Sequence, residues 1–258
     1  MKKKIIFWMR KQLKDSGAKG IVLGLSGGVD SAVVVALAKE ALGRGRVLAL
    51  ILPCHSQVQG LKDALLVARQ LGIETKTLDL SDIYDNLRRI LPKAGSLAVA
   101  NLKPRLRMLV LYYFANKLNY LVCGTGNKSE IQVGYFTKHG DGATDILPIG
   151  DLLKKEIRKL AKELGIPNRI ITKPPTAGLW PGQTDEGEMG ITYPELDDIL
   201  ERMENKRRQV LPNKKVDKVR GMIKRSEHKR QGPKICYLGT VLKVKQNCPY
   251  LGDTSRLS

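Results

Sequence analysis

Short runs of apolar residues alternate along the chain with longer segments in which apolar residues recur every three or four positions. The runs near 20–23 and 46–53 are nearly continuous, as expected for strands buried on both faces of a sheet, whereas the run at 73–80 contains several polar residues. They predict four strands and a short fifth, at residues 20–23, 46–53, 73–80, 120–123 and 146–149. The periodic segments predict helices at residues 3–16, 32–40, 57–71, 81–91, 97–118, 152–164, 193–202 and 205–224.

The order of these elements indicates the class of fold. Strand, helix, strand, helix and strand follow one another early in the chain, which is typical of right-handed crossovers in a parallel sheet. We therefore predict an α/β fold, a doubly wound parallel sheet with helices on both faces, formed as a single domain over residues 1–258. Ligands of such sheets bind beyond the carboxyl ends of the strands.

Two stretches interrupt the pattern. Residues 172–190 contain seven glycines and prolines, and a loop of this length inside a compact domain is typically functional or disordered. We expect a mobile lid there, with residues 81–87 as a second candidate. Residues 232–258 have no strong period, and we expect this tail to pack loosely or fray.

The composition limits the classes of binding partner and the cellular compartment that we expect for the protein. The net charge of +20 suits nucleic acid, phosphate-rich small substrates or a Lys-rich solvated surface, but the basic residues form no single stripe, which argues against nucleic acid. The four cysteines form no CxxC pair, so free thiols in a reducing cytoplasm are expected and a zinc site is not. No apolar run approaches the ~20 residues of a membrane span, and the N-terminus is too charged for a signal peptide.

The most informative stretch is the turn that follows the first predicted strand. It reads Gly24-Leu25-Ser26-Gly27-Gly28-Val29-Asp30-Ser31. Gly27 and Gly28 let the backbone approach a ligand closely, and the first N–H groups of the next helix lack internal partners. With the hydroxyls of Ser26 and Ser31, these groups predict a nest for phosphate. A Walker A loop is excluded, because no Gly-Lys-Ser/Thr follows.

Asp30 changes the interpretation of this turn. A carboxylate beside bound phosphates would repel them unless Mg²⁺ lies between, so the turn is predicted to hold pyrophosphate and a metal. The alternative is an ordinary tight turn with a capping aspartate, but the complete SGGxDS string favours phosphate. This string resembles the loop of the ATP pyrophosphatases, which split ATP into AMP and pyrophosphate while adenylating an acceptor oxygen.

Further motifs narrow the resemblance. In order, they are Arg105-Leu106-Arg107-Met108, Gly124-Thr125 with Glu130, Tyr135-Phe136-Thr137-Lys138-His139-Gly140-Asp141-Gly142, Thr144-Asp145, Lys154, Lys173-Pro174-Pro175-Thr176 and Glu227-His228-Lys229-Arg230. In this order and spacing the chain resembles the ammonia-dependent NAD synthetases over residues 20–230. It departs from the common pattern of that family at His139, where tyrosine is usual.

The resemblance implies a reaction and its participants. The nicotinate carboxylate of deamido-NAD attacks the α-phosphorus of ATP and releases pyrophosphate, and ammonia then converts the acyl-adenylate into NAD and AMP. The resemblance also implies a homodimer that shares the deamido-NAD site, with the helix at 97–118 in the interface. About twenty residues precede the first predicted strand, so we expect free ammonia, or glutamine hydrolysed by a separate partner, rather than a built-in glutaminase.

The same resemblance implies roles for individual residues. Asp30, Lys154 and Asp145 would be catalytic, and Asp30 and Glu130 would hold Mg²⁺. The ATP site would comprise Gly24, Leu25, Ser26, Gly27, Gly28, Val29, Asp30, Ser31, Thr125, Lys154 and Thr176. The deamido-NAD site would comprise Arg105, Lys138, Asp145, His228 and Lys229. Glu130 alone would suit a solvated surface, but its position beside the second turn, at residues 124–130, favours a ligand contact. A single lysine on a charged helix usually belongs to a solvated face, so the role of Lys154 depends most on the resemblance. A lone histidine is more often structural, and Arg107 suits a phosphate contact or an interface ion pair equally.

Two other functions remain open. A tRNA-modifying ATP pyrophosphatase would share the turn and suit the charge, but it predicts a catalytic cysteine pair or a CxxC motif, and an added RNA-binding module. A nucleotide-binding regulator on the same fold predicts the loss of Asp30, Glu130 or the lysines, and all of these are present.

Overall fold

The computed structural model describes residues 1–180, 182–205 and 213–236. Its strands are β1 (Gly20–Gly24), β2 (Val47–Ile51), β3 (Glu74–Thr77) and β4 (Tyr120–Val122). Its α-helices are α1 (Lys2–Ser16), α2 (Val29–Leu42), α3 (Val58–Leu71), α4 (Ser81–Ile90), α5 (Ser96–Ala100), α6 (Leu102–Leu118), α7 (Lys128–Val133), α8 (Lys154–Glu163), α9 (Asn168–Ile171), α10 (Asp185–Met189), α11 (Tyr193–Glu204) and α12 (Lys214–Arg225). The first part of the helix predicted at 205–224 and most of the predicted loose tail lie outside the described residues.

The four strands form one parallel sheet in the order β3-β2-β1-β4. The chain therefore runs outward from β1 to β3 and then returns to the other side of β1. This confirms the predicted doubly wound sheet, and the change of direction lies between β1 and β4. Ligands of such sheets bind at that point, beyond the carboxyl ends of the strands.

Different helices cover the two faces of the sheet. Leu23 and Ala49 belong to a core that includes side chains of α1, α2 and α8. Val22 and Leu48 point to the opposite face, as strand geometry requires, and join a core with side chains of α4 and α6. A third core joins α7, α11 and α12 and contains no strand residue.

The predicted fifth strand is wrong. Ile146 forms a single parallel bridge with Cys123, and the chain then turns, with the Gly150 N–H donating to the Leu147 carbonyl at 3.1 Å. Pro148 has no N–H to donate, so it cannot extend a ladder.

Three other boundaries have local causes. β3 is limited to four residues at the sheet edge, and its side chains are largely exposed. The helix α4 begins at Ser81, whose N–H donates to the carboxylate of Asp79 at 2.9 Å. The long helix is interrupted at Asn101, so Pro104 lies in the first turn of α6, where its missing N–H is tolerated.

The stretch predicted as a lid, residues 172–190, ends in a short helix. The Thr184 hydroxyl accepts from the Gly187 N–H at 3.2 Å at the start of α10, and Met189 at its end is buried. The mobility of this stretch stays a prediction. In the part of the chain that the structure describes, no helix combines the length and the apolar character that crossing a membrane requires.

Candidate active site

The turn between β1 and α2 lies at the carboxyl end of the sheet. Gly27 adopts φ of 77°, and a Cβ there would lie 2.4 Å from the Gly60 carbonyl oxygen and 2.9 Å from the Ala64 nitrogen. Glycine is therefore required, because α3 packs directly against the turn. The buried Ser31 hydroxyl donates to the Gly28 carbonyl at 3.0 Å, and this hydrogen bond stabilises the conformation of the turn.

The other residues of the turn lie at the end of β1, in the core or at the start of α2. Gly24 ends β1, and the side chain of Leu25 lies in the core. The Ser26 hydroxyl accepts from the backbone N–H of Gly28 at 3.3 Å. The helix α2 begins at Val29, earlier than the predicted residue 32, and so Asp30 lies in its first turn, where the helix dipole favours a carboxylate.

Asp30 joins two other predicted residues in a buried cluster. The Lys154 ammonium lies 2.7 Å from Asp30 Oδ2 and 3.1 Å from Glu130 Oε1. The lysine side chain is 2% exposed, and the carboxylates are 18% and 17% exposed. The three residues come from α2, α7 and α8, so the fold brings the predicted metal ligands and a predicted catalytic lysine together.

The cluster has one more negative charge than positive charge. Burial raises the pKa of Glu130 to about 7, against the lowering effect of Lys154. Burial alone would lower the pKa of Lys154, but the charges of Asp30 and Glu130 outweigh burial and hold that pKa above its ordinary value. Because an uncompensated buried charge is unfavourable, the cluster favours a proton or a further cation.

The residues of the cluster fit Mg²⁺ in one of its usual environments. Two carboxylate oxygens converge on one cationic position, which the Lys154 ammonium occupies. Proteins often hold Mg²⁺ through one or two carboxylates together with water and the phosphates of a substrate. Across the described ranges, no group of three or more His, Cys, Asp or Glu side chains could hold a metal ion. The cluster therefore suits a cation that arrives with phosphate ligands.

Asn127 completes the cluster, although the sequence motifs above do not single it out. Its side-chain amide donates to Asp30 Oδ1 at 2.9 Å, and its Oδ1 accepts from the Glu130 N–H at 3.0 Å. Glu130 in turn accepts from the Asn127 N–H at 3.3 Å, which makes a capping box at the start of α7. The Asn-x-x-Glu spacing is a sequence signal for such a box. Thr125 lies just before it, partly buried, in the turn after β4.

Asp145 lies beyond β4, away from the bonds of the lysine cluster. Its Oδ2 accepts from the Val122 N–H at 2.7 Å, and its Oδ1 accepts from the Tyr112 hydroxyl at 3.0 Å. A Cβ on Gly124 would lie 2.6 Å from the Thr144 side chain, so the two turns of this region are in close contact. Asp145 is thus positioned by β4 and α6.

The remaining predicted substrate residues form a second group. The Lys138 ammonium donates to the His228 carbonyl at 2.5 Å, and the Lys229 ammonium donates to the Phe136 carbonyl at 2.8 Å. Arg105 donates to the Lys138 carbonyl at 3.4 Å. Burial lowers the pKa of Lys229. Four of the five predicted deamido-NAD residues therefore lie in one neighbourhood, where basic side chains join the loop after α7 to the segment after α12.

Two further residues that the sequence analysis singled out, Thr176 and Arg107, form hydrogen bonds with the backbone of the protein. The Thr176 hydroxyl accepts from the Gly178 N–H at 3.1 Å. Arg107 donates to the Leu52 carbonyl at 3.0 Å, at the carboxyl end of β2. Arg107 therefore joins α6 to the end of the sheet.

The cysteines do not favour the tRNA-modifying alternative. Cys54 and Cys123 are buried, and burial raises the pKa of both thiols. A raised pKa disfavours the thiolate that a catalytic cysteine requires. Cys248 lies outside the described residues.

Known proteins resemble this chain over most of its length. The family model for NAD synthase matches residues 1–233. The NH(3)-dependent NAD(+) synthetase of Archaeoglobus fulgidus is 50% identical over 241 residues, which cover 93% of this chain and 97% of the relative. These relationships concern NAD synthetases and give no support to the tRNA-modifying alternative.

Two solved structures share the fold. NMN synthetase from Francisella tularensis has a TM-score of 0.84 and 40% identity, covering 91% of this chain and 96% of that chain. The NH3-dependent NAD synthetase from Campylobacter jejuni, in complex with the nitrate ion, has a TM-score of 0.80 and 31% identity, covering 92% of this chain and 97% of that chain. The turn, the cluster and these similarities confirm the resemblance first drawn from the motifs, and the chain belongs to the NAD synthase family.

Proposed function

We propose that this chain is an ammonia-dependent NAD synthetase, which converts deamido-NAD, ATP and ammonia into NAD, AMP and pyrophosphate. The observation that carries the proposal is the cluster of Asp30, Glu130 and Lys154 beside the Gly27 turn. A phosphate nest next to two carboxylates that share one cation suits a complex of ATP with a metal ion. The family supplies the reaction, because relatives of high identity are NH(3)-dependent NAD(+) synthetases.

ATP would bind with its phosphates in the turn at residues 24–31, with Thr125 and Thr176 as further contacts. Asp30 and Glu130 would hold Mg²⁺, which neutralises phosphate charge and makes the phosphorus more susceptible to attack. Lys154, fixed by both carboxylates, supplies positive charge at the same place.

The reaction takes place in two steps. An oxygen of the nicotinate carboxylate forms a bond to the α-phosphorus, and the bond from that phosphorus to pyrophosphate breaks. Ammonia then attacks the carbonyl carbon, AMP leaves with the bridging oxygen, and the nitrogen loses one proton. Water would hydrolyse the acyl-adenylate, so we assign residues 172–190 as the cover that excludes it.

Deamido-NAD carries two phosphates and a carboxylate, so a basic site suits it. Arg105, Lys138 and Lys229 supply that charge, together with His228 in the same neighbourhood. Asp145, held by Tyr112, offers a carboxylate acceptor about two turns further along α6 than Arg105. Charge complementarity between the basic residues and the substrate supports the assignment.

The active unit in this proposal is a homodimer. Leu97, Leu109 and Tyr113 on α5 and α6 are 60%, 63% and 58% exposed. Exposed apolar surface of this kind marks interfaces, and a second copy of the chain is the partner that the family implies. Because Arg105 lies on α6 as well, the deamido-NAD site would adjoin the interface. Sedimentation should give dimers for the chain and monomers for Leu109→Glu.

Free ammonia, or ammonia from a separate glutaminase, would supply the nitrogen. The cytoplasm provides ATP, and its reducing conditions suit the buried free thiols of Cys54 and Cys123. We therefore place the reaction there.

A second candidate is the amidation of nicotinate mononucleotide. One solved relative at 40% identity is an NMN synthetase, and its TM-score of 0.84 is above the 0.80 of the NAD synthetase from Campylobacter jejuni. Both reactions activate a nicotinate carboxylate with ATP. They differ in whether the site also accommodates an adenylate half.

An assay with both acids tests the proposal. The chain is supplied with ATP and Mg²⁺, either acid, and either ammonium or glutamine, and the amide product, AMP and pyrophosphate are measured together. NAD from ammonium, with a higher kcat/KM for deamido-NAD, is the expected result. A preference for the mononucleotide would establish the second candidate. No amide from either acid, despite ATP binding, would contradict both.

A further inference from the structure

One large, buried side chain contacts the cluster of Asp30, Glu130 and Lys154, and the reaction proposed above gives this side chain no role. Tyr193, the first residue of α11, is 1% exposed. Its hydroxyl oxygen is 3.2 Å from Glu130 Oε1 and 3.0 Å from Asp185 Oδ2. The centre of its ring is 4.7 Å from the Lys154 ammonium. One side chain therefore contacts the carboxylate and the lysine of the cluster, and an aspartate outside it.

The Tyr193 hydroxyl is shared between the carboxylates of Glu130 and Asp185. It carries one proton, so it can donate fully to only one of the two carboxylates at a time. The other oxygen of Asp185, Oδ1, is buried and has no hydrogen-bond partner in the part of the chain that the structure describes. The position of Asp185 is therefore sensitive to the contact with Tyr193, since a buried carboxylate needs the few bonds that it has.

Asp185 belongs to the stretch assigned as the cover of the active site. It is the first residue of α10, and its N–H donates to the Pro175 carbonyl at 3.1 Å, next to Thr176. This bond joins the two ends of the loop between residues 175 and 185. The contact of Asp185 with Tyr193 thus connects both ends of that loop to Glu130.

The same face of α11 fixes the neighbours of the cluster. Asp197 lies one helical turn after Tyr193, and its carboxylate accepts from the Ser129 hydroxyl at 2.5 Å and the Lys155 N–H at 2.9 Å. Ser129 and Lys155 adjoin Glu130 and Lys154 in sequence. The helix α11 therefore supports two members of the cluster, Glu130 and Lys154, and Tyr193, unlike Asp197, also contacts Asp185 of the cover.

We propose that Tyr193 is a positioning residue that couples the positions of Pro175 and Asp185, the two ends of this loop, to the placement of Glu130 and Lys154. The loop assigned as the cover of the active site and the proposed Mg²⁺ site at Asp30 and Glu130 then become ordered together. The coupling between segments follows from the contacts themselves, whereas its effect on Mg²⁺ rests on the function proposed above.

Tyr193→Phe tests the coupling, because it removes the hydroxyl and keeps the ring over Lys154. Hydrogen exchange of the ligand-free protein should become about tenfold faster in residues 175–189, the effect of one lost hydrogen bond to a charged group. The Mg²⁺ concentration at half-maximal rate should rise about tenfold as well. The KM for the acid substrate should stay within about twofold, since Tyr193 contacts none of the residues assigned to it.

Thr184→Val is the matched control. The Thr184 hydroxyl caps α10 by accepting from the Gly187 N–H at 3.2 Å, and it has no hydrogen bond to Glu130 or to the Asp185 carboxylate in the described contacts. Thr184→Val should speed exchange in α10 and leave the Mg²⁺ requirement unchanged. Asp185→Ala removes the acceptor at the other end of the link and should reproduce both effects of Tyr193→Phe, which keeps the test valid if one variant folds poorly.

Exchange equal to that of the parent protein in Tyr193→Phe would overturn the proposal. So would an equal rise in the Mg²⁺ requirement in Tyr193→Phe and Thr184→Val. The exchange experiment uses no substrate, so it reports on the coupling even if the parent protein makes no NAD, a result that would contradict the proposed function alone.

Discussion

Two ion clusters flank the phosphate turn, and the excess charge of one is opposite in sign to that of the other. In one, the carboxylates of Asp30 and Glu130 share the single ammonium of Lys154. In the other, the carboxylate of Asp63 on α3 is 4% exposed and lies 2.7 Å from the Arg169 guanidinium and 2.8 Å from the Lys173 ammonium. The first cluster has an excess negative charge, and the second has an excess positive charge.

The two clusters also differ in solvation, which indicates what each does. Arg169 is 53% exposed, so water already solvates part of the excess charge of the second cluster. Lys154 is 2% exposed, so the first cluster lacks that compensation. Burial alone would raise the pKa of Asp63, but its hydrogen bond with Lys173 helps to outweigh burial and lowers that pKa. We infer that the acid-rich cluster serves a further cation and that the base-rich cluster anchors α3 to the start of the cover.

Replacing Asp30 should have the largest effect on activity. Asp30→Ala removes a proposed metal ligand and one of the two carboxylate partners of Lys154, and turnover should fall by about a thousandfold or more. Circular dichroism should show an intact fold, because Glu130 still neutralises the lysine. A variant with the normal rate and the normal Mg²⁺ dependence would refute the assignment.

Replacing Asp63 should affect stability most. Asp63→Ala leaves two cations without their carboxylate and should lower the free energy of unfolding by about 3 kcal/mol, as measured by urea denaturation. Asp198→Ala is the control, because its pair with Arg202 is 52% exposed on both sides and should contribute less than about 1 kcal/mol. Equal losses in the two variants would show that Asp63 is not an anchor.

The pH dependence of stability should separate the clusters. The pKa of Glu130 rises from 4.5 to about 7 on folding, so the ligand-free fold binds the proton more tightly and loses stability as pH rises through that window. The loss should be no more than about 3 kcal/mol and should disappear in Glu130→Gln. The pKa of Asp63 is lowered instead, so its contribution is present above its unfolded pKa and is lost as pH falls. Unfolding curves between pH 4 and 8 with no difference between the parent and Glu130→Gln would contradict this account.

The two cations of the base-rich cluster should contribute least, and unequally. Lys173 is 25% exposed and Arg169 is 53% exposed, so solvent weakens the arginine pair more. Lys173→Gln should lower stability by about 1 kcal/mol and Arg169→Gln by about half of that. A larger loss from the arginine, measured in the same denaturation assay, would reverse the order that solvation predicts.

The sequence predicts the phosphate turn, Asp30 and Glu130 because their chemistry lies in short strings at strand ends, whereas the role of Lys154 is predicted only through the family resemblance. Glycines, hydroxyls and a carboxylate follow β1 directly, and a parallel sheet brings the turn after β4 to the same edge. The strands β1, β2 and β4 are equally predictable, since their apolar runs are uninterrupted, whereas β3 at the sheet edge is a polar segment. The failed fifth strand shows the limit of that signal, because Pro148 stops a ladder that apolar residues alone would suggest.

Asp63, Asp185 and Tyr193 are not predictable in this way. Each is a single polar residue whose partner is distant or unremarkable in sequence, and Asp63 and Lys173 are 110 positions apart. No periodicity or motif relates such residues, so only the packing of α3, α10 and α11 reveals their contacts. Asn127 lies between these cases, since its capping box is visible in sequence and its bond to Asp30 is not.

Tracing the oxygen of the substrate carboxylate tests the central claim most directly. Deamido-NAD with ¹⁸O in both carboxylate positions is converted in the presence of ATP, Mg²⁺ and ammonium, and the products are analysed by mass spectrometry. If the carboxylate attacks the α-phosphorus at the turn after β1, each AMP carries one ¹⁸O and pyrophosphate carries none. Label in pyrophosphate, or NAD formed without labelled AMP, would contradict the acyl-adenylate mechanism.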